Sequence, residues 1–588
     1  MIQRNEYVLK NMFGAFFLAT VMSALMSQLG DLTDSIIVSH LVSPDALSVV
    51  RIWMPIESVM FIIIGLMSAG ASFLSARGIG AQNYDKVNRV FNHHFYYVVI
   101  STLLIIGLLL PFVDVVGNMV TSDERLQPIL QPYIHAEFFS IFIAAVCGMP
   151  ISYVITSGNP RLITRLIIIS QILNALLDLL FCGIFDWGMA GASYATALSD
   201  LIAFTSLAGY IHKNSKIFRL HRPDRICSIK QYRECFSIGL PMLISALLAP
   251  AQAFAINSLV VNRLGADGMY IFTVYFQINN ICMLALSGSN TAISHIGGIL
   301  LGEEDYHSFR MLTRRIFRLL TVVMLAVSLL IFLFPDVLAR IFGADDALIE
   351  ACHTPLRLMS VAFLPGAVSE TLLILYFVQG HQKLCRWIEI VTNVGAIVII
   401  VIIALYTPEL LWYILPATAW LLLLVMVAMA YVVHRKNPLF AWPTLQNTVP
   451  SNPAVTFSVP YTTKGVEEFL TLANPFVKAC ELPDGMAVNV ALEELLYEIV
   501  ETYDQQTSKE NMTFDVRIID KETVFTIVVK SKGPLRNPIY KYTDEELMNI
   551  DDCNLRRAIL SRVCKNIDHQ YMNGINCIYL NYNRTQSS

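Results

Sequence analysis

Asn174 and Asp178 stand four residues apart in a long apolar stretch, so a helix sets both on one face. Asp178 lies nine residues before Trp187 and Thr196 nine after it, and Trp187 sits in a short Phe-Asp-Trp-Gly turn between two membrane-length segments. At 1.5 Å per residue, both side chains fall roughly 13 Å below the same membrane surface. Asp34, about eight residues before the first outward loop, reaches a similar depth. Two carboxylates, a carboxamide and a hydroxyl therefore meet at one level. Carboxylates close together in a low dielectric cannot both stay ionised, so they share a proton or hold a cation. An acid at mid-membrane costs about 2.5–3.5 kcal/mol on insertion scales, which marks these residues as functional candidates. Asp31 and Asp200, one helical turn from Asp34 and Thr196, widen the polar track. In the second half of the chain the intramembrane acids are Glu370 and Glu389. Glu370 is a candidate substrate carboxylate, with a shielded structural role as the alternative; Glu57 and Glu137 carry a weaker signal of the same kind.

Such residues need a membrane around them, and the composition supplies it. Of 588 residues, 55% are hydrophobic and only 15% charged, against about 25% charged in soluble domains. The eleven cysteines are scattered without CxxC pairs, which excludes a disulfide framework or a cysteine metal site. The first apolar run begins near Asn11 and is too long for a cleaved signal, so it is read as an uncleaved span. Apolar runs predict twelve spans, near 11–40, 48–75, 91–116, 128–156, 162–185, 188–212, 232–263, 268–299, 309–344, 350–379, 384–405 and 409–434. Lys and Arg gather in alternate connections, above all in 212–233 and around Arg310, Arg314, Arg315 and Arg318, while the intervening loops are acidic or neutral. The positive-inside rule then places both ends in the cytoplasm of a bacterial-type inner membrane, which requires an even number of spans.

The two sets of six spans are copies. GAQNYDKV (80–87) faces GEEDYHSF (302–309), SGNPRL (157–162) faces QGHQKL (379–384), and DSIIVSHLVSPDAL (34–47) faces NSLVVNRLGADGM (257–269). Six is even, so the halves share one orientation: a parallel repeat around a central cavity, typical of transporters. The copies differ where chemistry is expected, since Asp34 faces Asn257, and Asn174 and Asp178 face Ala396 and Ile400. The reading is an all-α polytopic membrane protein: a first lobe over 1–212, an inter-lobe connection over 213–233 and a second lobe over 234–436.

These residues carry a resemblance. TDSIIVSHL, GIGAQNYDKV, SGNPR, LNALLD and WGMAGASYATA, spread over roughly residues 10–435, resemble the multidrug and toxic compound extrusion (MATE) family of cation-coupled antiporters. The resemblance implies that Asp34, Asn174, Asp178 and Thr196 bind the coupling ion, Na+ or H+, with no cofactor. Some members also use second-lobe acids on spans 7 and 10; here only Glu370 on span 10 matches.

After Pro438 the composition turns polar. Residues 437–455 are expected to form a linker, and 456–588 a cytoplasmic α/β sandwich with strands at TFSVPY, FDVRIID, VFTIVVK and CIYLNYN and helices near 464–479, 484–503 and 553–566. That order resembles the histidine-kinase-type ATPase fold of anti-sigma-factor kinases. Glu494 matches the family's Glu, but Glu498 replaces its Asn, Ser531-Lys532-Gly533 replaces the Asp-x-Gly turn, and Asn554-Leu555-Arg556-Arg557 stands where a glycine-rich lid belongs. These departures imply a degenerate nucleotide site without ATP turnover, so no enzyme activity is expected. The functional expectation is a monomeric secondary antiporter that exports amphiphilic or cationic small molecules from the lipid bilayer, binds no nucleic acid, and answers to a regulatory ligand or partner of its tail. The alternatives are a membrane sensor that signals through the tail, and a flippase for a lipid-linked precursor.

Overall fold

The structure is a computed structural model; it describes residues 5–121, 125–214, 217–221, 229–341, 346–406, 411–446, 451–480, 482, 485–504, 512–521, 524–533, 567–572 and 574–583. The chain divides into two compact units. One comprises Phe17–Thr156 and Pro160–Thr448, the other Met1–Phe16, Ser157–Asn159 and Val449–Ser588.

The first unit is helical: α1 (Tyr7–Leu41, whose first residues belong to the other unit), α2 (Pro44–Ile64), α3 (Ser68–Gly80), α4 (Tyr84–Leu109), α5 (Val113–Val120), α6 (Gln127–Thr156), α7 (Pro160–Asp178), α8 (Gly188–Asn214), α9 (Ile229–Ala292), α10 (Gly298–Gly302), α11 (Tyr306–Leu333), α12 (Pro335–Ile341), α13 (Asp346–Ser360), α14 (Phe363–Val378), α15 (Gln382–Tyr406) and α16 (Leu411–Lys436). Among the described residues, nine helical stretches are long and apolar enough to cross a membrane; α8 and α15 occupy two further expected places, and α9 runs through both the seventh and the eighth.

The repeat is written into the backbone. Gln82 and Glu304 both adopt φ of 58° in the turns before α4 and α11. Asn83 and Asp305 cap those helices, accepting from Lys86 N and Ser308 N at 3.1 Å. Gly158 and Gly380 take φ of 87° and 91° in the matching SGNPRL and QGHQKL turns, a region that L side chains avoid. The lobes meet where α3 approaches α10. A Cβ on Gly80 would stand 2.0 Å from Ile299 O, and one on Gly302 2.2 Å from Arg77 O, so each glycine admits the other lobe's backbone.

The copies part at the second turn. Helical backbone runs unbroken from Ile229 to Ala292, through the 264–267 stretch where the sequence predicts a loop. In the first lobe, Ser43 caps α2 and Pro44 occupies its first turn, which separates it from α1. The second-lobe equivalents are Ala266 and Asp267, so neither the cap nor the proline is present to break the helix.

The expected linker is partly structured. Residues 437–446 fold onto α14 and α16: Tyr376 Oη donates to Pro443 O (2.6 Å), Gln379 Nε2 to Thr444 O (2.9 Å) and Trp442 Nε1 to Val427 O (2.9 Å). Leu445 is fully buried.

The second unit holds β1 (Ala454–Pro460), α17 (Thr463–Ala479), α18 (Gly485–Asp504), β2 (Thr513–Asp520), β3 (Val524–Lys532), β4 (Ile567–Met572) and β5 (Ile575–Asn583). The sheet order is β1-β2-β3-β5-β4, with every neighbouring pair antiparallel. Alternate residues of the strands, among them Phe514, Val516, Ile518, Phe525, Ile527 and Val529, face a core completed by Phe469 of α17 and Leu492 and Leu496 of α18. Each such side chain contributes about 1.5–3 kcal/mol on burial. β4 escapes the sequence reading because IDHQYM has no apolar alternation. The expected helix at 553–566 lies outside the described residues. Residues 5–16 pack within this unit: Asn5 N donates to Ser458 Oγ (2.9 Å), Thr513 Oγ1 to Asn5 Oδ1 (2.8 Å), and Lys532 Nζ to Asn11 Oδ1 (3.1 Å) while lying over the Tyr7 ring.

Candidate functional site

The four candidates of the first lobe come together. Asp34 on α1 and Asp178 at the end of α7 both lie against the amide of Asn174. Asn174 stands between them. With its amide nitrogen toward Asp34 it donates to Oδ1 and Oδ2 at 2.9 and 3.0 Å. The other face of the amide lies 3.3 Å from Thr196 Oγ1 and 3.5 Å from Asp178 Oδ2. The nitrogen is assigned to the Asp34 side because an amide oxygen cannot face two carboxylate oxygens. Asn174 and Asp178 are almost wholly buried, and Asp178 Oδ1 has no hydrogen-bond partner among the described residues. An orphaned buried oxygen beside a second carboxyl, an amide and a hydroxyl is an all-oxygen donor set that suits a hard cation or a proton.

Local structure explains the aim of these groups. α7 gives way at Asp178 to a wider π-type turn, Leu179–Ile184, a distortion found often at functional sites. Below it, Phe181, Phe185 and Trp187 stack on one another at 4.8–6.0 Å in the turn to α8, as aromatic side chains do at a membrane interface. Gly30 of α1 lies against the end of the Gln171 side chain of α7, whose Oε1 would stand 1.6 Å from a Cβ there.

The wider track is more extensive than the sequence suggested. Asp200 accepts from Ser170 Oγ at 2.7 Å, and Asp31, on the exposed side of α1, lies in electrostatic range of Asp34 and Glu57. Glu57 in turn neighbours Glu137, which accepts from Ser193 Oγ at 2.7 Å. Ser170 and Ser193 were not foreseen: a hydroxyl in a span reads the same whether it meets an acid or its own helix backbone.

Glu370 does not join this cluster. It opens on a separate cavity of about 550 Å³ whose walls include Phe73, Met242, Met283, Asn290 and Phe377, drawn from both lobes. Asn290 Oδ1 there is buried without a partner among the described residues. Methionines and phenylalanines, with one acid, one amide, a histidine and four hydroxyls, make an adaptable mixed surface with a single negative handle. The signal for Asn290 was the polar run Ser287-Gly288-Ser289-Asn290-Thr291 inside an otherwise apolar span. Glu389 is buried elsewhere in the second lobe, accepting from Asn393 Nδ2 at 2.7 Å, and Asn393 Oδ1 accepts from Gln252 Nε2 at 2.9 Å.

In the tail, Glu494 and Glu498 share α18 one turn apart. Gly533 N donates to Gly574 O (3.0 Å), so this backbone donor is not available to a phosphate, and Gly533 O accepts from Tyr571 Oη (3.0 Å). Residues 554–557 lie outside the described residues.

Known proteins share this geometry's framework. The MatE family model matches residues 19–180 and 241–403, more than half of the chain. The chain is 22% identical over 246 residues to the multidrug export protein MepA of Staphylococcus aureus, covering 41% of this chain and 54% of that protein. It thus spans about half the length of these curated relatives. It is 22% identical over 365 residues to the probable multidrug resistance protein YoeA of Bacillus subtilis, covering 59% of this chain and 77% of that one. Among solved structures, an outward-facing multidrug resistance MATE family transporter superposes with a TM-score of 0.65 at 19% identity, over 74% of this chain and 99% of the other. A mutant form of the Vibrio cholerae MATE transporter VcmN gives 0.67 at 17% identity, over 74% and 98%. These superpositions establish the fold of the helical unit.

Proposed function

The chain belongs to the MatE family, and from that premise we propose that it is a secondary antiporter that exports amphiphilic organic cations, drugs or metabolites in exchange for Na+ or H+. The carrying observation is the separation of two sites. Asp34, Asn174, Asp178 and Thr196 form a compact oxygen cluster within the first lobe, while the cavity bearing Glu370 is lined from both lobes. An ion taken at the first changes the charge and hydrogen bonding of α1, which carries that change along its length. Cations are held in the second by Glu370 and the faces of Phe73 and Phe377. The relatives named for multidrug export support this substrate class.

Both ends are read as lying on the inner side of the cytoplasmic membrane. Support comes from one packed unit that contains residues 5–16, the 157–159 loop and the tail. A folded water-soluble unit cannot straddle a bilayer, so an even number of crossings separates each of these segments from the next. The tail is read as a regulator that does not hydrolyse ATP, since Gly533 offers no free backbone donor.

The test is transport by the reconstituted protein of a fluorescent organic cation under an imposed pH or Na+ gradient. Movement against the substrate gradient that collapses when the ion gradient is dissipated is the expected result. Uptake indifferent to both gradients would overturn antiport. A sensor is the second reading, favoured by the packing of α1's first residues into the tail unit. Counterflow separates the two, because a sensor binds substrate without exchanging it.

A further inference from the structure

The repeat provides an internal control for one more site. In the first lobe, α4 presents Asn88, Asn92 and Tyr96, four residues apart and so in one stripe. That stripe is filled by the segment that follows the lobe's last span. Asn88 Oδ1 accepts from Arg219 N (3.0 Å), Asn92 Nδ2 donates to Arg219 O (2.8 Å), Asn92 Oδ1 accepts from His221 N (2.8 Å), and Tyr96 Oη donates to His221 O (2.8 Å). Neutral side chains there hold neutral backbone.

The aligned motifs GAQNYDKV and GEEDYHSF carry these positions onto Arg310, Arg314 and Arg318 of α11. The segment that follows the second lobe's last span again comes to the stripe, with Ala441, Thr444 and Gln446. Here, however, it roofs an open cavity of about 550 Å³, lined also by Thr313 and Phe317. Arg314 and Arg318 have no acidic partner among the described residues. Three guanidiniums at successive turns repel one another, and no carboxylate among the described residues offsets that at Arg314 and Arg318. The fork of an arginine side chain matches a phosphate's oxygens with two parallel hydrogen bonds. The stripe is about 12 Å long at 1.5 Å per residue, which fits a group carrying more than one anionic oxygen cluster.

We propose that this cavity binds a phosphate-bearing anion, held by Arg310, Arg314 and Arg318 and by the hydroxyl and amide of Thr444 and Gln446. The ligand is the headgroup of an anionic phospholipid or a free phosphorylated metabolite; the lipid arm rests on the orientation proposed above, which puts α11's first turns at the cytoplasmic leaflet. Because Thr444 and Gln446 are among the last residues before Val449, where the tail unit begins, an occupied cavity fixes the point from which the tail departs.

The test uses the full-length protein in two preparations. In detergent, binding of inorganic phosphate and pyrophosphate is measured by calorimetry. In nanodiscs, hydrogen exchange of residues 437–446 is compared between phosphatidylcholine alone and phosphatidylcholine mixed with phosphatidylglycerol. Pyrophosphate binding identifies a soluble ligand, and slowed exchange with phosphatidylglycerol identifies a lipid; either supports the site. The variant Arg314→Gln/Arg318→Gln should weaken whichever response is seen by at least about tenfold, since charge-assisted hydrogen bonds are worth about 1.5–3 kcal/mol. Arg314→Lys/Arg318→Lys keeps the charge and removes the fork, and should weaken it by a smaller factor, which guards against a misfolded Gln variant. An absence of both responses, or responses unchanged in the Gln variant, would overturn the site. Ion-driven transport is a separate readout, so failure here leaves the antiport reading standing and failure of antiport leaves this one testable.

Discussion

At the scale of single residues, the first-lobe cluster makes a sharp demand. Asp178→Asn and Asp34→Asn keep shape and hydrogen bonding but can neither take up a proton nor offer charge to a cation. Each should abolish ion-coupled transport while the protein still inserts. If Na+ is the ion, its affinity should fall by about 2–5 kcal/mol, the usual cost of removing one partner from a buried charged pair. Near-normal ion-driven efflux by Asp178→Asn would show the cluster to be structural. Glu370→Gln removes the one carboxylate that lines its cavity, so it should change which cations are accepted and leave the coupling ion's affinity as it is; competition by a panel of cationic dyes reads the difference. Depth counted from Trp187 sufficed to bring Asn174, Asp178 and Thr196 together, because α7 and α8 are joined by a short turn. Counting could not say that Asn174 would bridge to Asp34, since depth along a span does not fix the rotation of α1 about its own axis.

Elements show what a repeat can and cannot convey. Matching motifs foretold matching turns, and the paired φ values of Gln82 and Glu304 and of Gly158 and Gly380 are the result. The continuity of α9 was legible only by reading what the second copy lacks: a capping serine and a first-turn proline. β4 was not legible, because its side chains are only partly buried and show no alternation. Where the lobes touch, Gly80 and Gly302 are the permissive residues. Gly302→Leu drives a side chain against Arg77 O, and overpacking of this kind costs about 1–3 kcal/mol. The contact between α3 and α10 should then be populated about tenfold less. Exchange in proteoliposomes should slow by a similar factor while equilibrium binding of substrate persists. Unaltered exchange would mean that the lobes do not need this contact.

For the molecule as a whole, a helical membrane unit built on a repeat and a separate α/β domain were readable from hydropathy and motif spacing, whereas the count of twelve spans needed a break at 264–267 that α9 does not show. Packing of residues 5–16 into that domain was not, because Asn5, Tyr7 and Asn11 have no pattern that distinguishes a docked segment from the start of a span. Single cysteines at Arg219, at Glu467 and at Asp346 test the topology: the first two should be labelled only from inside and the third only from outside. Labelling of Glu467→Cys from outside would undo the parity of spans. Removal of the tail should be made after Gln446. Such a protein should still transport, at an altered rate, whereas a cut at Pro438 also removes the carbonyls that Tyr376 and Gln379 hold and should lower the melting temperature further. Isolated 451–588 should show no ATP turnover, and substrate-stimulated turnover in the full protein would contradict the reading of Gly533 as closed.

The shared unit also imposes a schedule. Residues 5–16 leave the ribosome ahead of α2 to α16, and their partners in β1, β2 and β3 emerge only after α16. At about 5–20 residues per second the interval is roughly half a minute to two minutes. Throughout it, Asn5 and Asn11 wait for Ser458, Thr513 and Lys532 to be made. Completion of this small fold therefore reports that the intervening helices have been threaded with the correct parity. A chain that inserts one span wrongly leaves the two halves of the unit unpaired, on opposite sides of the bilayer, and so carries its own mark of faulty assembly.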